Sequence, residues 1–331
     1  MSMLALDFMQ RALVAALLTG LAAPAVGTCL VQRRLALMGD GLGHVALTGV
    51  AVGLLTGWAP VWTAVTVAII GAVAIELIRA RGRASADVAL AMLFYGGIAG
   101  GVLLVGLAGS TAATLNTYLF GSITTVSATD LWVIVALSAA VLVIAAGLRP
   151  QLFAVCQDEE FARVAGLPVR AYAMLIAVMA AVTVTVAMRT VGLLLVSALM
   201  VVPVATAQQL TRGFRATFVL ALVLGVLPSL AGVVLSFYVD VAPGASIVVI
   251  ALMGFALAWP VGSLLRRRRY RSLARAPEVD ARLAGDHVAA EHHGHQHDEH
   301  CGHPGVPLGN HVDYLHGGHL HAPHGRHYDE H

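Results

Sequence analysis

The sequence predicts an all-α, polytopic integral membrane protein. About nine transmembrane helices are expected, with eight the alternative count, oriented N-out/C-in and followed by a disordered His-rich cytoplasmic tail. Three observations carry this. Of the 331 residues, 58% are hydrophobic and only 11% charged, against about 25% charged in soluble domains; the mean hydropathy is +0.82. Apolar runs long enough to cross a hydrocarbon core of roughly 30 Å recur from residue 8 to residue 265, more than a single anchor or leader peptide requires. Arginine is concentrated in alternate connections, as the positive-inside rule demands. The chain divides on this reading into a membrane domain, 1–265, and a tail, 266–331, that is first basic and then His-rich.

The expected spans are 8–31, 35–57, 60–78, 86–107, 130–148, 170–188, 191–210, 216–237 and 243–264. "GWAP" (57–60) is a tight turn between the second and third. The connections after the first, third, fifth and seventh spans carry Arg33/Arg34, Arg79/Arg81/Arg83, Arg149/Arg163/Arg170 and Arg212/Arg215, and the ninth is followed by "RRRRYR" (266–271). The opposite set has Arg189 alone. A re-entrant helix within 111–130 would change the count without reversing the later loops. Three scattered cysteines suggest no disulfide framework. From about residue 272 the chain is polar, rich in Gly, Pro and His and without hydrophobic periodicity, a composition that reads as disorder.

"MGDGLGHVALTG" (38–49) breaks the apolar pattern. Asp40 and His44 are one helical turn apart, so both lie on one face. With the span starting at 35, His44 is about ten residues in, roughly 15 Å along the helix. A charge at that depth costs about 3 kcal/mol and usually faces a cavity or a partner. Carboxylate oxygen and imidazole nitrogen suit Zn²⁺ and are acceptable to Mn²⁺ or Fe²⁺. The spacing alone fits a second reading equally: Asp40 caps a helix beginning at Gly41 and His44 bonds a neighbouring helix. Glu76 is expected to snorkel or to pair with a nearby arginine such as Arg79.

"CQDEEFARVAGLPVRAY" (156–172) lies between two spans on the arginine-rich side. Asp158, Glu159 and Glu160 favour a helix N-terminus, Phe161 offers an apolar knob, and Gly166 followed by Pro168 stops the turn. A partner's groove or plain solvent would both accommodate it. In the tail, fourteen of the fifteen histidines fall within the last 45 residues. His292, His293, His295, His297, His300 and His303, with Cys301, form the densest group, and imidazole is the commonest ligand of zinc, nickel and copper. Their interleaving with Gly, Asp, Glu and Cys argues against an added purification run.

There is no lysine: all twenty basic residues are arginine. A P-loop needs its lysine on the phosphates, so this polypeptide is not expected to be an enzyme that hydrolyses ATP itself, and no cofactor is expected.

The stretch "LVQRRLALMGDGLGHVALTGVAVGLL" (30–55), together with "TYLFGSI" (117–123), "DEEFARVAGLPV" (158–169) and "VGLLLVSALMVVPVATAQQL" (191–210), resembles the ZnuB-like membrane permeases of zinc/manganese/iron ABC importers. The resemblance covers roughly 8–260. It implies a homodimeric permease in a bacterial-type plasma membrane, surrounded by lipid. A cytoplasmic ATPase would dock at Asp158, Glu159, Glu160, Phe161 and Gly166, and an extracytoplasmic binding protein would deliver the metal; no nucleic-acid partner is implied. Asp40 and His44 take the metal-contacting or gating positions by motif. Gly41, Gly43 and Thr48 depart from the Ala, Ser and Pro of many members. The tail tilts the cargo toward Zn²⁺, with Mn²⁺, Fe²⁺, Ni²⁺ and Co²⁺ fitting the same ligands. The rival is a self-sufficient secondary carrier, which normally places ligands on several helices; here the other spans are almost free of ionisable groups.

Overall fold

The computed structural model describes residues 6–80, 86–109, 112–122, 124, 126–273, 302–308, 311–316, 319–324 and 327–330. The chain forms two compact units, Met1–Leu265 and Arg266–His331.

Each expected span of the first unit is a helix. They are α1 (Asp7–Gln32), α2 (Met38–Thr56), α3 (Pro60–Ala80), α4 (Ala86–Leu107), α6 (Ala128–Gly147), α9 (Val169–Met188), α10 (Leu193–Leu210), α11 (Phe214–Val239) and α12 (Pro243–Leu273). Among the described residues eight of them are long and apolar enough to cross a membrane; α10 is a shorter apolar helix, so both counts read from the sequence have a physical basis. Three short helices complete the unit: α5 (Ala112–Phe120), inside the segment read as re-entrant, then α7 (Arg149–Gln157) and α8 (Glu159–Val164).

Burial sorts centre from periphery. About 72% of the apolar stretch of α1 and 67% of those of α2 and α9 are buried, but only 22% of those of α4 and α6. The outer helices instead expose residues such as Trp132, Leu103 and Val143, surface that a lipid environment accepts. Alanine dominates the central helices: Ala12, Ala15, Ala16, Ala23, Ala46, Ala180 and Ala181 are all 0–1% exposed. Small side chains let helix backbones approach closely where no aqueous hydrophobic drive exists. α2 packs on α4 and α3, and α1 on α11, α10, α6 and α9.

α1 ends in a Schellman motif: the Leu35 N–H bonds the Leu30 carbonyl at 2.8 Å and the Arg34 N–H the Val31 carbonyl at 3.1 Å. Arg34 occupies the left-handed position that glycine usually takes, at φ 59°. This corner occupies 33–37, so α2 begins at Met38 rather than at 35.

Arg189, the one arginine against the positive-inside pattern, is paired. Its Nη2 lies 2.6 Å from Asp130 Oδ2, both side chains being only 16–17% exposed. Asp130 also forms a reciprocal capping box with Ser127 at the start of α6, and the Arg189 guanidinium lies 5.8 Å over the Tyr118 ring. The charge that would have blurred the topology signal is thus neutralised.

In the second unit the structure departs from the expectation of an irregular tail. Four short strands, β1 (Gly305–Leu308), β2 (His311–His316), β3 (His319–His324) and β4 (His327–Glu330), pair in that order as an antiparallel meander. Two residues separate each strand from the next, with glycine in every pair (Gly309, Gly317 and Gly318, Gly325), the composition two-residue hairpins favour. The periodicity of two was hidden because histidine stands at many positions where an apolar residue would mark a buried face.

Candidate metal pathway

α2 places Asp40 in its first turn and His44 one turn further on. Leu37 is the N-cap residue and makes no side-chain cap, so the capping alternative for Asp40 falls: at the third helical position its carboxylate still favours the positive end of the helix dipole. Because α2 starts at Met38, His44 lies roughly 9 Å along the helix, not 15 Å.

Both side chains are set against α4. Asp40 lines a cleft of about 370 Å³ with Leu37, Leu90, Ala91, Phe94 and Tyr95. The His44 ring, in a residue 9% exposed, meets Phe94 edge to face with centroids 4.8 Å apart. Phe94 therefore packs on His44 and lines the cleft that Asp40 borders. The two helices can come this close because Gly97 carries no side chain: a Cβ there would sit 2.8 Å from the His44 carbonyl carbon and the Val45 nitrogen. Thr48 ties the crossing, its hydroxyl donating to the Gly97 carbonyl at 3.0 Å. In the position where many permeases have proline, this threonine thus holds α2 to α4.

Two donors, one oxygen and one nitrogen, fall short of the four that a closed zinc site uses. Among the described residues no group of three or more His, Cys, Asp or Glu is gathered to hold a metal. Such an arrangement suits passage better than storage. Sequence reasoning missed Phe94, Tyr95 and Gly97; their only signal is "FYGG" (94–97) in an otherwise aliphatic run.

The residues read as a coupling segment form α8 and its caps. Asp158 is the N-cap, its Oδ1 accepting the Glu160 and Phe161 N–H groups, each at 2.9 Å. Gly166, at φ +82°, is the left-handed residue of a second Schellman motif, with Leu167 N–H to Ala162 O at 3.0 Å and Gly166 N–H to Arg163 O at 3.1 Å. Ala162 is buried against Val155 and Val169, whereas Phe161 and Val164 are 66% and 88% exposed. Glu159 pairs with Arg33, whose side chain is only 5% exposed. A polar cleft of about 360 Å³ surrounds this pair, lined by Glu76, Arg79, Arg163 and Arg170 as well; Glu76 and Arg79 pair at 2.7 Å. Cys29 on α1 and Cys156 on α7 are both free and buried.

Of the tail residues singled out above, His292, His293, His295, His297, His300 and Cys301 lie outside the described residues; His303 is half-buried just before β1.

The model of the ABC 3 transport family matches residues 5–261. The chain belongs to this family. The permease is 38% identical over 242 residues to a "Probable metal transport system membrane protein" of Treponema pallidum, covering 73% of this chain and 91% of the relative. It is 34% identical over 282 residues to the manganese transport system membrane protein MntC of Halalkalibacterium halodurans, covering 84% and 96%. Among solved structures it is similar to PsaBC from Streptococcus pneumoniae in complex with Fab, with TM-score 0.70 and 30% identity over 77% of this chain and 91% of that one. An inward-facing metal-chelate type ABC transporter shares the fold alone, at TM-score 0.57 and 15% identity. The permease is a multi-pass plasma membrane protein of bacterial type.

Proposed function

We propose that the chain is the permease subunit of an ABC importer for a divalent transition metal, zinc on its ligand chemistry, with Asp40 and His44 contacting the ion in transit. The observation that carries this is the pair itself, on one face of a central helix, with Asp40 bordering the cleft and His44 packed on Phe94, which lines it. Manganese is the second reading, favoured by the names of relatives such as MntC; one carboxylate and one imidazole serve either ion. A second copy of the chain would bring the donors to four. An ATPase subunit would dock on Phe161 and Val164 of α8 from the cytoplasm, and an extracytoplasmic binding protein would deliver the ion. Family membership and the dearth of ionisable groups in other spans weigh against a self-sufficient carrier. The tail histidines, His292 to His303 with Cys301, would hold metal loosely on the receiving side.

The test is zinc-65 uptake, with manganese as competitor, in cells producing the chain with its ATPase. Native protein is compared with His44→Ala and with an ATPase broken in its P-loop. Both changes are expected to abolish uptake at normal membrane levels. Uptake that survives the dead ATPase overturns the importer reading. Uptake unaffected by His44→Ala removes the pair from the pathway, and inhibition by manganese well below equimolar concentration replaces zinc with manganese.

A further inference from the structure

We propose that the polar cleft bordered by α1, α3, α8 and α9 binds one phosphate group through Arg33, Arg79, Arg163 and Arg170. These arginines are scattered along the sequence, yet all four line one cavity of about 360 Å³, a size within the range of small-ligand sites, roughly 300–1,000 Å³. Arg33 caps the end of α1, Arg79 and Arg163 lie in the last turns of α3 and α8, and Arg170 lies in the first turn of α9. The positive-inside rule puts the cavity on the cytoplasmic side, at the ends of two spans.

Charge balance in the cleft calls for an anion. Two carboxylates line it, Glu159 paired with Arg33 and Glu76 paired with Arg79. The side chains of Arg163 and Arg170 have no such partner among the described residues, so two positive charges are left over. The Arg33 side chain is 5% exposed and that of Glu76 10%, so water screens the surplus poorly. Arg170 adds a second conflict. It stands at the positive end of the 20-residue α9, where there is neither an acidic residue nor a side-chain cap; a cation is disfavoured there and an anion favoured. A bound phosphate resolves both conflicts. Guanidinium suits the task, being permanently charged and presenting a donor fork that matches two phosphate oxygens. Each salt bridge engages one nitrogen, Nη2 of Arg33 and Nη1 of Arg79, which leaves further donors on both. A phosphate held there joins the ends of α1 and α3 to α8 and the start of α9, bracing the segment proposed to dock the ATPase. The site itself rests neither on that docking nor on the cargo. The phosphate is presented either by an anionic phospholipid of the adjoining leaflet or by a soluble anion.

The full-length chain, purified in non-ionic detergent without nucleotide, is titrated by calorimetry with inorganic phosphate, with short-chain phosphatidylglycerol and with short-chain phosphatidylcholine. Saturable binding of one phosphate or one phosphatidylglycerol per chain is expected, with the zwitterionic phosphatidylcholine silent. The tighter of the two binding probes names the source, soluble anion or lipid headgroup. Arg163→Gln and Arg170→Gln, both at exposed positions, should each weaken binding about tenfold or more, the loss of a charge-assisted hydrogen bond, with thermal stability unchanged. Arg212→Gln combined with Arg215→Gln, on the same side of the membrane but outside the cleft, should leave binding as it was. Absence of saturable binding by either probe overturns the site. So does equal weakening by the two sets of variants, which would mean a general attraction of anions to arginine. Zinc-65 uptake is scored separately, so a failed titration with intact uptake sinks this site alone and leaves the importer reading standing.

Discussion

Replacing Gly97 with alanine puts a methyl group where α4 crosses the Asp40–His44 stretch. The new Cβ would stand 2.8 Å from the His44 carbonyl carbon and the Val45 nitrogen and 2.9 Å from His44 Cβ. Two of these three atoms are backbone, so no rotamer change relieves the clash and the helices must separate. Restoring ordinary contact at 3.4 Å requires about 0.6 Å of movement. That displacement carries Phe94, three residues earlier on α4, off the His44 ring and opens the cleft beside Asp40. Overpacking of this kind costs about 1–3 kcal/mol, and uptake should fall about tenfold, equivalent to about 1.4 kcal/mol. Gly96→Ala is the internal control: a Cβ there meets nothing within 4 Å, and alanine's higher helix propensity makes the change neutral or slightly stabilising. Thermal unfolding of both purified variants, with zinc-65 uptake at matched membrane levels, decides the matter. Equal effects of the two substitutions, or a silent Gly97→Ala, would refute the argument that this crossing sets the geometry of the pair.

Gly166→Ala forces a side chain into φ +82° and should cost about 1 kcal/mol; trypsin cleavage at Arg163, measured in membrane vesicles, is expected to rise as α8 frays. Asp130→Asn leaves Arg189 without its counter-charge in a site where both side chains are 16–17% exposed. Discounted for that exposure against a fully buried pair, the loss should be about 2 kcal/mol in thermal stability. Ser127→Ala, which removes the cap and the 2.7 Å hydrogen bond to Asp130 Oδ2 but leaves the ion pair, should cost about 1 kcal/mol.

The nine apolar helices, eight of them long enough to cross a membrane, were legible because lipid leaves so little choice: backbone groups must be satisfied within the segment, so apolar length reports helix directly. Their ends were less so. The corner at 33–37 could not be foreseen, since it depends on Arg34 taking a backbone conformation that arginine seldom adopts. Asp40 and His44 stood out by their chemistry, and Asp158 and Gly166 by their capping roles. Phe94 and Gly97 did not, because an aromatic and a glycine in an apolar helix are ordinary until the crossing partner is known. The strands of the tail escaped for a different reason: histidine recurs in three of the four, and hydropathy scores it as solvent-facing.

The contact between Glu159 and Arg33 gives α8 a handle on the helix that carries Asp40 and His44. Arg33 is the first residue of the corner, and Asp40 follows seven positions later. The corner is closed by two backbone hydrogen bonds, with Arg34 in a left-handed conformation that non-glycine residues seldom adopt. A partner docked on Phe161 as proposed above would therefore pull, through α8, on the first turn of α2 as well, leaving a single elbow of chain between the proposed docking knob and the proposed metal pair.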